Sequence, residues 1–344
     1  MRKKIDVWLS MLLVSFLVVG CSSTTVKTTD VTPIMQETNE LDESELLDVG
    51  ILTFDTGLDA AIDAGEDELI FPEVRAAESR YFPHLLLSAV QQSAAWGAVR
   101  IVPSVDSMVD VIVKGNILRS DGESLLVKVS ASDASGQHWF TKEYEGTASR
   151  YSYETKRRQP LMSEPFQDIY NQIANDLLRY RRNIESSKVN QIRTIAELRF
   201  ANSFAPDVFN SYLSKSEGGI YKIAKLPAEN DEMLQRIRQI RERDYLFVDT
   251  LQEYFDAFAK NMKMPYQQWR QESYHEVLAL KSAKQSARNA KLTGLVSVLA
   301  GVVAMGNSSS GVARAAGSVA VAGGGYIAKA GFDKDAESQI HIEA

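Results

Sequence analysis

The sequence predicts an α+β protein: a small mixed α/β sheet domain followed by an all-helical region with a glycine-rich C-terminal helical hairpin. Three observations lead there. Short apolar and alternating runs, separated by turn residues, fill the stretch from Val49 to Gly146 and have the length of strands. From Val189 onward these runs give way to apolar residues three and four apart, the spacing of one helix face. Between residues 291 and 332, glycines recur seven apart in two apolar halves.

The chain opens with Arg2, Lys3 and Lys4, then an apolar run from Val7 to Val19, then Gly20 and Cys21. A basic start, an apolar middle and a small-residue end is the order of a secretory signal. The run falls short of the roughly 20 apolar residues that span a bilayer. Val18-Val19-Gly20-Cys21 resembles a bacterial lipobox. That resemblance implies a signal peptide over residues 1–20, cleavage after Gly20 and a lipid on Cys21. The lipid is the one cofactor-like group expected. Cys21 is the only cysteine, so no disulfide forms within the chain. Ser22 stands where many inner-membrane lipoproteins carry aspartate, and by that analogy the anchor faces the periplasm from the outer membrane. Residues 21–48 are polar, acidic and poor in aromatics, the composition of a flexible tether with a reach of about 30 Å.

An α/β domain is expected over residues 49–185. VGILTF is a strand, and the stretch containing ESRYFPHLLLSAV is a helix with Pro83 in its first turn and Gly97 past its end. Ala98 to Pro103 is a second strand. VDVIVKGNIL, SLLVKVSASD and QHWFTKEYEG follow as a meander, joined at Ser120-Asp121-Gly122 and Ala134-Ser135-Gly136. A sheet in this order needs a cover. Residues 163–184 supply one: Ser163 as cap, Pro165 early, and Phe166, Ile169, Tyr170, Ile173, Leu177 and Tyr180 on one stripe. Arg179, Arg181 and Arg182 suit the negative end of that helix.

These segments, taken together, resemble the periplasmic α/β domain of curli-secretion-type lipoproteins. They are also similar to the amino-terminal domain of TolB and to lipoprotein activators of peptidoglycan synthases. The likeness covers roughly residues 48–185 and extends to uncharacterised proteobacterial lipoproteins with the whole layout. It implies binding or assembly rather than catalysis, and it transfers no catalytic residue.

Within this domain, Glu73, Arg75, Glu78, Arg80 and Tyr81 crowd the helix entrance. They form a candidate polar patch for a partner. The alternative is a solvated loop whose local ion pairs contribute less than about 1 kcal/mol each.

A helical region follows over residues 186–290. Gln191 to Phe204 is the first helix, and Pro206 to Lys215 is a short one stopped by Gly218-Gly219. Asn230 or Asp231 caps a long helix, with Val248, Leu251, Phe255, Phe258 and Met262 on one stripe. Tyr245, Phe247 and Tyr254 widen it. In RIRQIRERD, Glu242 and Asp244 sit among the arginines, which favours a solvated face over a phosphate site. Pro265 starts the next helix.

Residues 291–332 read as a glycine-zipper hairpin, with Gly294 and Gly301 in one half and Gly317, Gly324 and Gly331 in the other. Small residues at such spacing let helix backbones approach closely. Three destinations stay open: a bilayer, an oligomer, or the protein's own domain. A polar tail, residues 333–344, ends the chain.

Apolar residues make up 44% of the 344, enough for a sizeable core. A net charge of −7 argues against nucleic acid, and the four histidines are too scattered for a metal site. No phosphate loop, GxSxG elbow or HExxH is present, so neither a catalytic residue nor a small-molecule substrate is expected. The reading is a non-enzymatic envelope lipoprotein. Its partners are the membrane, through the lipid, and copies of itself or other envelope proteins. The alternative is a monomeric binding module that regulates an envelope enzyme, for example one of peptidoglycan synthesis.

Overall fold

The computed structural model describes residues 31–39, 41–58, 70–104, 109–153, 164–228 and 230–307, by backbone alone from residue 290. Gly20 and Cys21, the second half of the glycine hairpin with Gly317, Gly324 and Gly331, and the polar tail lie outside the described residues.

The protein is α+β. Its sheet holds β1 (Val49–Leu52), β2 (Val99–Val102), β3 (Val111–Ser120), β4 (Ser124–Asp133) and β5 (His138–Thr147) in the order β2-β1-β3-β4-β5. β1 runs parallel to both β2 and β3, while β3, β4 and β5 form the antiparallel meander that the two turn triplets predict. Alternation decides the facing. In β4, Leu125, Val127, Val129 and Ala131 are buried, and Lys128 between them is exposed.

α1 (Pro72–Gln92) links β1 to β2. It begins at Pro72, and Pro83 lies inside it rather than in its first turn. Pro83 has no N–H to give the carbonyl four residues back, which is that of Ser79. The N–H of Phe54 takes that place, donating to the Ser79 carbonyl at 2.8 Å. The vacancy left by Pro83 is thus filled from the chain just beyond β1, which ties α1 to the sheet.

α2 (Arg150–Tyr153) is a single turn. α3 (Gln167–Arg182) buries Ile169, Tyr170, Ile173 and Leu177, as its stripe predicts, and carries its three arginines in the last turn. It starts after Phe166, later than Ser163-Glu164-Pro165 suggests, because residues 164–167 close as a turn with Gln167 N–H on the Glu164 carbonyl. α1 and α3 share one core with the sheet.

The tether shortens. Residues 31–39 lie along α3 rather than hanging free. Asp168 Oδ1 accepts the Thr32 N–H at 2.7 Å, and Asn175 Oδ1 accepts the Met35 N–H at 2.7 Å. Asn171 and Asn175 donate to the carbonyls of Thr32 and Pro33, and Arg182 pairs with Glu37. Asp168, Asn171, Asn175 and Arg182 share one helix face, so α3 reads a strand-like stretch of backbone with a polar ridge. Leu47 is then fully buried just before β1.

The second half comprises α4 (Ser186–Phe204), α5 (Pro206–Phe209) and α6 (Glu232–Asn307). It is not all helical. After a 3-10 turn at Asn210–Tyr212, β6 (Leu213–Lys215) pairs with β7 (Tyr221–Ile223), and Gly219 turns between them at φ +81°. Three residues per strand are too few to show a period of two.

Asp231 caps α6, its carboxylate accepting the Leu234 N–H at 2.9 Å. The helix then runs unbroken through Pro265 for 76 residues. At 1.5 Å per residue that is about 114 Å. Pro265 therefore does not start a helix. The carbonyl it leaves without a helical donor is on Asn261, an exposed residue. Of the aromatics expected to widen the α6 stripe, Phe247 and Tyr254 are exposed. Among the described residues, no helix is long and apolar enough to cross a membrane.

Candidate functional site

The expected partner patch is split by the structure. Glu73 and Arg80 are exposed on α1, whereas Arg75, Glu78 and Tyr81 turn inward beneath α6. Glu78 is 0% exposed, Arg75 2% and Arg270 of α6 1%. Arg270 Nη2 lies 3.4 Å from Glu78 Oε1 and donates to Ser120 Oγ at 2.9 Å, while its Nε donates to the Tyr266 hydroxyl at 2.7 Å. Tyr266 and Ser120 in turn donate to Glu78 Oε1, at 2.7 and 2.6 Å. Arg270 Nη1 reaches the Asp121 carbonyl. The guanidinium also stacks 4.4 Å from the centre of the Phe166 ring. Buried charges persist only when paired and hydrogen-bonded. This cluster therefore joins α1, α6 and the β3–β4 turn in one register rather than offering a surface.

A different place gathers polar and charged groups around a cavity. A cleft of about 530 Å³ opens between α4 and α6 above one end of the sheet. α4 lines it with Asn190, Arg193, Thr194 and Glu197. α6 lines it with Arg238, Arg241, Glu242 and Tyr245. Both sets have the spacing i, i+3, i+4, i+7, so each is one continuous helix face. The two polar stripes confront each other.

Asp48 and Asp110 complete the cleft, one leading into β1 and the other into β3. Asp110 Oδ2 accepts the Asp48 N–H at 2.8 Å. Asp48 Oδ1 accepts the Ala98 N–H at 2.8 Å, and the Tyr245 hydroxyl lies 3.4 Å from Asp48 Oδ2. Asp110 is only 3% exposed, and its Oδ1 has no donor among the described residues. An unsatisfied buried acceptor of this kind costs about 1–3 kcal/mol. Burial pushes the Asp110 carboxyl up to about 6, with the Asp48 charge adding to the shift and the Asp48 N–H, Arg241 and Arg193 opposing it. A carboxyl titrating there can hold or release a proton near neutrality.

The cations are unequally committed. Arg238 grips Glu197 with two bonds, at 2.5 and 3.2 Å. Arg193 gives one bond to the Glu43 carbonyl at 2.6 Å. Arg241 and Arg100 both lie against the Tyr245 ring, at 5.3 and 4.7 Å from its centre.

A second, more apolar cavity of about 410 Å³ adjoins the first at Tyr245 and is walled by Val102, Phe200, Phe204, Phe247 and Val248. Phe204 is 50% exposed and Phe247 63%. The edge of β2 beside it is closed by α6. The Gln252 side chain accepts from the Ile101 N–H and donates to its carbonyl, both at 2.9 Å, as a neighbouring strand would.

In RIRQIRERD, Arg236 and Arg243 are exposed, as a solvated face requires, while Arg238, Arg241 and Glu242 line the cleft, which the sequence does not announce. The missed signal was the paired spacing, Asn190 to Glu197 against Arg238 to Tyr245. Of the predicted helix-packing glycines, Gly294 and Gly301 lie within α6. Among the described residues, no group of three His, Cys, Asp or Glu could hold a metal ion. Comparison of the chain with family models, with curated proteins and with solved structures finds no match.

Proposed function

We propose that the protein is a non-enzymatic, lipid-anchored envelope protein that organises or assembles structures at the outer membrane by self-association. Cys21 carries the anchor, the sheet module follows it in the chain, and the glycine-rich end of α6 joins copies together. The resemblance of residues 48–185 to curli-secretion-type and TolB amino-terminal domains agrees with a binding or assembly role.

The observation that supports this reading is the continuity of α6. The helix touches the sheet module from Tyr245 to Lys281 and continues without a break to Asn307. The last 26 residues extend about 39 Å at 1.5 Å per residue. Gly294 and Gly301 fall on that extension, seven apart and so within about 20° around the helix. Glycine costs a helix about 1 kcal/mol relative to alanine, and a close backbone contact offsets it.

Light scattering in mild detergent tests the proposal, with the full chain beside a version ending at Ala290. A defined oligomer that the truncation reduces to a monomer is the expected result. A monomer in both forms overturns self-association. The monomeric binding module then gains, with exposed Phe204 and Phe247 beside the apolar cavity as the face to cross-link.

A further inference from the structure

We infer that the cleft between α4 and α6 binds a small zwitterion: a molecule with a protonated amine and an acid group on one short chain, of the amino-acid or peptide-terminus class. The inference is independent of self-association.

Three features of the cleft carry it. The first is room. At about 530 Å³ it lies in the range of small-molecule sites. Its lining is polar throughout apart from the Tyr245 ring, which suits a compact charged molecule and not an aliphatic one.

The second is the buried carboxylate. Asp110 lines the cleft, is 3% exposed, and keeps Oδ1 without a donor among the described residues. Buried polar atoms in native proteins are nearly always paired, so such an atom beside a cavity marks the place of an absent donor. An ammonium group supplies that donor together with a complementary charge. Asp48, beside it, adds a second negative charge.

The third is the arrangement of opposite charge across the same space. Glu197 and Arg238 neutralise each other in their two-bonded pair. Arg193 lines the same space as Asp48, Asp110 and Glu242, with Arg241 held beside the Tyr245 ring. Arg193 spends one N–H on Glu43, and a guanidinium has five. A simple cation entering here meets the arginines, and a simple anion meets the carboxylates. A molecule with both charges a few bonds apart satisfies both sides. Its acid group lies against Arg193, and its amine turns toward Asp110 and Asp48.

Isothermal titration of the full chain in mild detergent tests the assignment. The probes are glycine, alanine and glycylglycine, with methylammonium and acetate as the separated halves. At least one zwitterion should bind, and each half should bind about tenfold more weakly or worse, as the loss of one charge-assisted contact implies. Asp110→Asn keeps an acceptor for the Asp48 N–H but removes the charge, and Arg193→Gln removes the opposite charge from a half-buried site. Each should weaken the zwitterion about tenfold or more. Should Asp110→Asn fail to fold, Arg193→Gln decides. Three results overturn the inference: no heat from any zwitterion, one half binding as tightly as the whole, or parent-like affinity in the folded variants.

Discussion

Gly122, in the turn between β3 and β4, lies directly against the backbone of Tyr274 on α6. A Cβ there would come within 2.5 Å of the Arg270 carbonyl oxygen and closer still to the Tyr274 nitrogen. The Gly122 N–H donates to Ser273 Oγ at 3.0 Å, and its carbonyl accepts from Tyr153. The turn is therefore a joint as well as a connection between strands. Gly122→Ala should destabilise the protein by about 1–3 kcal/mol, the range for overpacking a close contact. Urea unfolding would measure this. An alanine variant as stable as the parent would mean that α6 rides clear of the turn.

The buried Arg270–Glu78 pair sets a larger effect beside that joint. Removing one partner strands the other charge in the core, which typically costs about 3–5 kcal/mol. Arg270→Ala should lose that much, since Glu78, Tyr266 and Ser120 all lean on the guanidinium or on one another. Replacing both ends, as in Arg270→Leu with Glu78→Leu, removes this pair but also takes the Glu78 carboxylate from buried Arg75, 3.9 Å away. The double variant should therefore recover only part of the loss. Equal stability for the parent and Arg270→Ala in chemical denaturation would show that water reaches the site.

Which of these features the sequence displays follows from how far apart their causes lie. Strand order shows because Ser120-Asp121-Gly122 and Ala134-Ser135-Gly136 are local turn chemistry, and the buried stripe of α3 shows because its period is local. The Asp231 cap is likewise three residues from the N–H it satisfies. The burial of Arg75 and Glu78 does not show, because Tyr266 and Arg270 stand about 190 residues away, and charges near a helix start read as solvated. Pro83 misleads for a related reason: the donor that replaces its missing N–H belongs to Phe54, outside the helix. The cleft is an intermediate case. Each stripe was visible as a helical period, but only the fold brings Arg193 opposite Arg241 and sets Asp110 beneath them.

Gln252 gives a prediction that hydrogen exchange can read. Its side chain holds both backbone groups of Ile101 on the otherwise open edge of β2. Gln252→Ala should leave the fold in place while the Ile101 amide loses protection by about tenfold or more, the equivalent of one hydrogen bond of roughly 1 kcal/mol or somewhat above. The uncovered edge should also raise the tendency to aggregate. Unchanged protection at Ile101 would mean that the bulk of α6, not this side chain, shields the edge.

Asp110 ties stability to pH with a definite sign. Its carboxyl titrates at about 6 in the folded protein, against an ordinary value of 3.8, because burial and the neighbouring Asp48 disfavour its charge more than the Asp48 N–H, Arg193 and Arg241 favour it. Between those two pH values the folded state holds a proton that the unfolded chain has released. Stability therefore falls as pH rises from about 4 to about 6, and the loss is fully present above that window. At about 1.4 kcal/mol per pH unit, the loss amounts to roughly 2–3 kcal/mol. Asp110→Asn has no proton to release, so the variant's stability relative to the parent should rise by that amount between pH 4 and pH 7. Urea unfolding of both proteins across this range measures the difference directly. A difference that stays flat would mean that Asp110 ionises as an exposed aspartate does. The sign also bears on the cleft, since a residue that weakens the fold when ionised is retained more readily if its charge has a ligand to meet.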